Sequence, residues 1–280
     1  MKARFVGLLA VGLLAANVAS AAVVINYPDF SSVAGLTING DAAQVGNILR
    51  VTPALFGGQA GSAFSASTVS LAANASFSTY FQFRFSNPGG ASDGQGVGAD
   101  GLVFVVQTVT ASEVGSGGGG IGYSTLANSI GIEFDTWDNG SIDAGSSNHV
   151  GIDVGGSITS LALASVVEAD MNNGAVWNAW IDYNGATKVL EVRLTQSATR
   201  PATAILSLSR DIAPDLGSTN AFVGFTSGTA AAFADHDVLS WVLENDFNPF
   251  PGPGTAPEPG TLALLGLGLA GLAATRRRKK

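Results

Sequence analysis

An all-β fold, one antiparallel sandwich of about 225 residues, is what the sequence predicts, and three observations carry it. Short runs that alternate apolar and polar residues, or are continuously apolar, recur between clusters of Gly, Ser, Asn and Asp. Convincing amphipathic helical windows are missing outside the two ends. The 37 glycines follow no period, so they fit turns and bulges and not a collagen or linker repeat.

The first element is a predicted signal peptide. Residues 1–21, MKARFVGLLAVGLLAANVASA, place Lys2 and Arg4 before an apolar run and end on Ala19-Ser20-Ala21. A basic region, an apolar region and a small-x-small site predict cleavage before Ala22. The apolar run is short for a full membrane span.

Residues 22–246 are the predicted sandwich. FSTYFQFRFS (Phe77–Ser86) alternates, as a half-buried strand does. GLVFVVQ (Gly101–Gln107) and SIGIEFDTW (Ser129–Trp137) are more continuous, as strands covered on both faces tend to be. SLALASVVEADM (Ser160–Met171) reads as strand and loop. WNAWIDYNGATKVLEVRLT (Trp177–Thr195) reads as a hairpin turning at Tyr183-Asn184-Gly185. AFVGFTSG (Ala221–Gly228) and HDVLSWVLE (His236–Glu244) close the set. No internal repeat divides this stretch, so one domain is expected.

Residues 247–256, within FNPFPGPGTA, read as a Pro/Gly linker. In residues 257–280, Pro257-Glu258-Pro259 precedes an uncharged stretch, Gly260 to Thr275, and five basic residues close the chain. As a single hydrophobic helix the uncharged stretch would cover roughly 24 Å, and its basic end should stay cytoplasmic. Three features in this order resemble the PEP-CTERM sorting signal of Gram-negative bacteria. The resemblance covers only the last 24 residues. It implies an exported protein, held transiently in the inner membrane by its tail. An exosortase-type protease would then process the tail, and the protein would pass to the cell surface or beyond.

Removing both ends leaves six basic and twenty acidic residues, a net charge of −14. Nucleic acid and anionic membrane surfaces are poor partners for such a chain, while divalent cations are good ones. No membrane contact is expected except through the tail. The chain has no cysteine, and a mature domain of about 235 residues buries enough surface to do without disulfides.

One stretch concentrates the chemistry. IEFDTWDNGSIDAGSSNHVGID (Ile132–Asp153) gathers Glu133, Asp135, Asn139, Asp143 and His149. On a strand, Glu133, Asp135 and Trp137 share one face while Ile132, Phe134 and Thr136 share the other. Carboxylates two positions apart lie about 6.8 Å apart along the strand and repel unless a cation lies beside them. Asp138-Asn139-Gly140 then turns the chain, so Asn139 and Asp143 can fold back toward that point. Carboxylate, amide and carbonyl oxygens suit calcium, and one imidazole among carboxylates suits a transition metal such as manganese. The alternatives are turn chemistry, which also favours Asp and Asn, and the carboxylate pair of a laminarinase-type glycoside hydrolase. The second glutamate of that hydrolase pattern is missing, since Trp137 and Asp138 occupy its positions.

Four ordered motifs resemble the legume (L-type) lectin family. They are GADGLVFVVQ (Gly98–Gln107), GGGIGYS (Gly118–Ser124), the acidic stretch, and VGFTSGTAAAFADHDVLSW (Val223–Trp241). GLTINGDA (Gly35–Ala42) and FSTYFQFRFS echo the family more weakly, in the expected order. The resemblance implies a concanavalin-like jelly roll. It implies that Glu133, Asp135, Asn139, Asp143, His149 and the Trp137 carbonyl hold metal, and that Asp135 and Asp143 bridge calcium and a second, transition metal such as Mn2+. It further implies that Asp100, Gly119, Trp137 and Asn139 meet a sugar. Asp100 would accept from two sugar hydroxyls after a cis Ala99–Asp100 peptide, the Gly119 N–H would donate, and the Trp137 ring would stack on the pyranose.

Two departures stand out. The bridging aspartate of many plant members lies five residues after the asparagine, where this chain has Ala144, and Asp143 falls one position earlier. The segment Gly228–Asp235, where the family sets monosaccharide preference, offers mainly backbone and small side chains. His236-Asp237 matches a structural segment of the family. The resulting expectation is an exported, calcium-dependent carbohydrate-binding protein and not an enzyme. The alternatives are a structural matrix or biofilm protein on the same fold without sugar binding, and a glycoside hydrolase.

Overall fold

The computed structural model describes residues 23–71, 74–94 and 96–252. The predicted signal peptide, the predicted sorting helix and the last residues of the predicted linker lie outside them. In chain order the strands begin with β1 (Val23–Tyr27), β2 (Leu36–Gly40), β3 (Ala43–Val45), β4 (Ile48–Thr52), β5 (Gln59–Ser65) and β6 (Val69–Ser70). They continue with β7 (Phe77–Gly90), β8 (Ser92–Asp93), β9 (Gly96–Val97), β10 (Gly101–Gln107), β11 (Ser129–Asp135) and β12 (His149–Val154). The last are β13 (Ala162–Ser165), β14 (Trp177–Asn184), β15 (Val189–Thr195), β16 (Leu206–Ser209), β17 (Asn220–Thr229) and β18 (Ala232–Glu244).

These strands build two eight-stranded antiparallel sheets, as the sequence predicts. The back sheet runs β16-β15-β14-β7-β18-β4-β3, with β1 also on β18. The front sheet runs β13-β12-β11-β10-β17-β5-β2, with β6 also on β17. Strand alternation sends one set of side chains between the sheets. Phe81 of the back sheet packs edge-on against Phe134 and Phe225 of the front sheet, with ring centroids 5.7 and 5.0 Å apart. Each such ring is fully buried, a contribution of about 1.5–3 kcal/mol apiece.

The other face of the front sheet is also covered. The connection from β10 to β11 folds over it and seats Ile121, Tyr123 and Leu126 on Phe64, Val103 and Val105. Val103 and Val105 therefore face the loop layer while Leu102, Phe104 and Val106 face the core. This double burial is why β10 reads as a continuous apolar run and not as an alternating one.

Three local features differ from the sequence expectation. The β14–β15 hairpin turns over residues 185–188, later than expected, because Asn184 Oδ1 accepts from the N–H groups of Ala186 and Thr187 at 3.0 and 3.2 Å. A four-residue helix, α1 (Ala213–Leu216), carries Pro214 in its first turn and ends on Gly217. Phe250, inside the expected linker, is buried on the outer face of the back sheet with Tyr80 and Trp180. Asn248 ties down the same segment by donating its N–H to Ser78 Oγ at 3.0 Å. No helix among the described residues is long and apolar enough to cross a membrane.

Candidate functional site

The site forms where the ends of β10, β11 and β17 meet beneath the loop layer. β11 sends Ile132 and Phe134 into the core, so Glu133 and Asp135 emerge on the loop-covered face. Its neighbour β12 sets His149 opposite Asp135 and Gly151 opposite Glu133. The absent side chain at Gly151 matters, since a Cβ there would lie 2.2 Å from Glu133 Oε1. Ligand atoms of Glu133, Asp135 and His149 all lie within 4.8 Å of one another, and all three residues are buried.

The loop between β11 and β12 brings Asp143 to the same place. The Asn139 N–H donates to Asp143 Oδ2 at 2.5 Å, and His149 Nε2 lies 4.0 Å from Asp143 Oδ1. The shifted register is absorbed locally. Gly140, Ala144 and Gly145 take φ of 76, 54 and 75°, and the Gly145 N–H donates to the Gly140 carbonyl at 2.9 Å. The Trp137 N–H donates to Asp135 Oδ1 at 2.7 Å, which orients that carboxylate.

The protonation pattern suits a cation. A carbonyl oxygen can only accept, so the 2.9 Å contact between His149 Nδ1 and the Ser146 carbonyl fixes the ring proton on Nδ1. Nε2 is buried and without a hydrogen-bond partner, 3.4 Å from Glu133 Oε1. Burial, and then the neighbouring Glu133 charge, raises the Asp135 carboxyl well above the usual carboxylate range. Burial also raises Asp143, although the Asn139 N–H and His149 oppose it. A divalent ion among these oxygens and one imidazole nitrogen would remove the mutual repulsion. The donor set fits calcium, and also a transition metal on the imidazole side.

Asp100 sits at the entrance to β10, after a cis Ala99–Asp100 peptide. Its N–H donates to the Gly228 carbonyl at 3.1 Å, and its carbonyl accepts from the Thr136 N–H at 2.8 Å, fastening it between β17 and β11. The side chain is almost fully buried and Oδ2 has no partner. Burial, with Asp143 nearby, pushes its pKa up to about 7. Gly119 lies against Asn139, since a Cβ there would come within 2.7 Å of Asn139 Nδ2. The segment Gly228–Asp235 contains almost no loop. β17 ends at Thr229 in one sheet and β18 begins at Ala232 in the other, leaving Ala230 and Ala231 to join them.

Sequence reasoning missed Asp153 and Ser160. Asp153 is buried beside Glu133, and burial followed by the Glu133 charge pushes its pKa up to about 9. Ser160 donates to Glu133 Oε1 at 2.6 Å. The signal for Asp153 was in HVGID, where alternation puts His149, Gly151 and Asp153 on one face. Ser160 had no local signal. His236 and Asp237 form no dyad. His236 is fully buried, shares a 2.8 Å contact with Thr52 Oγ1 and is pushed down to about 3 by burial, while Asp237 pairs with Arg50 and Arg84.

A two-sheet jelly roll with a carboxylate–imidazole cluster beneath a glycine-rich loop defines a lectin-type sandwich. The legume lectin domain matches residues 22–256, and the chain belongs to that family. The PEP-CTERM protein-sorting motif matches residues 255–279. The chain is 31% identical over 189 residues to the L-type lectin-domain containing receptor kinase VIII.1 of Arabidopsis thaliana, covering 66% of this chain and 26% of that protein. It is 28% identical over 188 residues to a lectin of Pisum sativum, covering 62% of this chain and 63% of that one. The chain thus spans about a quarter of the receptor kinase. Among solved structures, the metal-free form of lectin I-B4 from Griffonia simplicifolia superposes with a TM-score of 0.65 at 28% identity. That match covers 78% of this chain and 97% of the lectin.

Proposed function

We propose that this chain is an exported carbohydrate-binding protein of the cell surface or extracellular matrix in a Gram-negative bacterium, that it depends on calcium, and that it is not an enzyme. The observation that carries the reading is the double engagement of Asn139. Its backbone N–H holds Asp143, and its side-chain amide lies against Gly119. One residue therefore joins the carboxylate cluster to the glycine-rich loop. Asp100 supports the reading, because a buried carboxylate oxygen without a partner is costly unless a ligand hydroxyl reaches it.

In this reading Glu133, Asp135, Asn139, Asp143, His149 and the Trp137 carbonyl would hold the metal, the oxygen donors suiting calcium. A transition metal such as manganese would take the His149 side. Bound metal would neutralise the carboxylates. The chain's own residues then do the recognition. Asp100 accepts from two hydroxyls, the Gly119 N–H and Asn139 amide donate, and the Trp137 ring covers an apolar sugar face. The partners are surface or matrix polysaccharide and an exosortase-type protease acting on the tail. Binding of the chain without its sorting tail to a glycan array, with calcium and with chelator, tests the proposal. Calcium-dependent signals on a subset of glycans are expected, and an array blank in both conditions would reject it.

A further inference from the structure

Away from the cluster already described, one small cavity gathers five oxygen-bearing side chains. Asp93, Thr136, Ser147, Asp170 and Asn172 line it, beside the backbone of residues 96–98. Among the described residues no Lys or Arg lines it, and neither do Glu133, Asp135, Asp143 or His149.

Three segments distant in sequence meet there. The β8–β9 hairpin brings Asp93, whose Oδ2 accepts from the Asp138 N–H at 3.0 Å. The connection from β11 to β12 brings Thr136 and Ser147, both buried, and a Cβ on Gly94 would lie 3.9 Å from Ser147 Oγ. Asp170 caps the short 3-10 turn Met171–Asn173, and its Oδ1 accepts from the Asn172 N–H at 3.0 Å. A backbone N–H therefore orients each of the two carboxylates.

Asn172 shows that the cavity lacks something. Its side chain is pressed against Gly98, where a Cβ would come within 3.0 Å of Asn172 Nδ2. The residue is only 8% exposed, and its Oδ1 is buried without a hydrogen-bond partner. Such an oxygen is costly to bury unless something electropositive meets it. Water does not fit that role, because the cavity has no room for the centre of a water-sized sphere. A bare cation does, since oxygen donors approach calcium to about 2.3–2.6 Å, closer than they approach a water molecule.

We propose that this cavity is a calcium site separate from the Glu133–Asp135–His149 cluster. Its donors would be the Asp93 and Asp170 carboxylates, Asn172 Oδ1 and the Thr136 and Ser147 hydroxyls. A set without nitrogen or sulfur suits a hard cation and not a transition metal. Magnesium keeps several of its waters, and the cavity has no space for them. The ion would tie the β8–β9 hairpin to the turn before β14 across Gly98, two residues ahead of Asp100. The inference stands whether or not the domain binds sugar.

Equilibrium dialysis of the purified protein against calcium alone tests it by counting bound ions. Asparagine at positions 93 and 170 removes both charges but keeps an oxygen for each backbone N–H, so the fold should persist. Wild type should hold about one calcium per chain more than the double variant Asp93→Asn with Asp170→Asn. Asp135→Asn acts on the other cluster and should retain this calcium, and combining it with the double variant should remove it. Equal counts in wild type and the double variant overturn the proposal, as does loss of all calcium in Asp135→Asn. If the double variant does not melt cooperatively, Asp93→Asn alone decides. It should weaken binding of one calcium by at least about tenfold, and an unchanged titration overturns the site.

Discussion

His149 Nε2 faces Glu133 Oε1 across 3.4 Å, and both residues are buried. Asp135 and Asp143 crowd the same buried spot, and carboxylates gathered there repel one another unless something positive lies between them. Calcium should therefore stabilise the domain. At a hundred times its dissociation constant a ligand adds about 2.7 kcal/mol, or roughly 5–10 °C in Tm for a domain of this size. Calorimetric melts before and after chelation measure it, and identical Tm values would rule out a metal at this cluster.

Without metal, stability should fall as pH rises from about 6.5 to 9. Asp100 and Asp153 have folded pKa values raised to about 7 and about 9. Over this window the native state holds protons that the unfolded chain has released, so the slope of stability with pH is negative. His236, pushed down to about 3, is neutral when folded and titrates in the unfolded chain only near and below the start of this window. Calcium should flatten the trend, because a cation among the neighbouring carboxylates favours the ionised form of Asp100 and Asp153. Melting curves across the window, with and without EDTA, would refute this by showing parallel profiles.

Asp135→Asn and Gly119→Val should separate the two halves of the site. The first removes a buried carboxylate from the candidate metal cluster and should weaken calcium and sugar binding together, each by more than about tenfold. The second places a side chain where a Cβ alone lies 2.7 Å from Asn139 Nδ2, so sugar binding should vanish while calcium still raises Tm. Loss of calcium stabilisation in the glycine variant would contradict the division.

Asp100→Ala should lower sugar affinity at least about tenfold, the scale of one charge-assisted hydrogen bond. The fold should survive, since the backbone of Asp100 makes the contacts to Gly228 and Thr136 and its Oδ2 has no protein partner. Retained affinity would remove Asp100 from the binding site.

Phe250→Ala should destabilise the domain by about 3–5 kcal/mol, as expected for a buried ring. A chain ending at Asp246 should show a similar loss in urea unfolding. If both match wild type, the burial of Phe250 against Tyr80 and Trp180 contributes nothing.

Strand positions and most of the candidate site were legible because both rest on local periodicity. β10 and β11 follow from their apolar runs, and Glu133 and Asp135 fall on one face by alternation alone. The approach of Gly119 to Asn139 was not readable from spacing, because distant segments supply them, and only family resemblance linked Asp100 to both. Asp153 was readable but lay past the last expected ligand. The docking of Phe250 depends on partners far away in sequence, so a Pro/Gly stretch gave no local sign of it.

Phe250 and Gly252 close the described chain on the outer face of the back sheet, where a Cβ on Gly252 would approach the Ala198 carbonyl at 2.7 Å. The acidic cluster lies beyond the front sheet, so both sheets separate it from the end of the described chain. A tether continuing from this end would leave the described domain on the side opposite the candidate site and leave that site uncovered at its root. If the site binds as proposed, many copies held on one surface would add weak single contacts to a long polymer into firm retention through effective concentration alone.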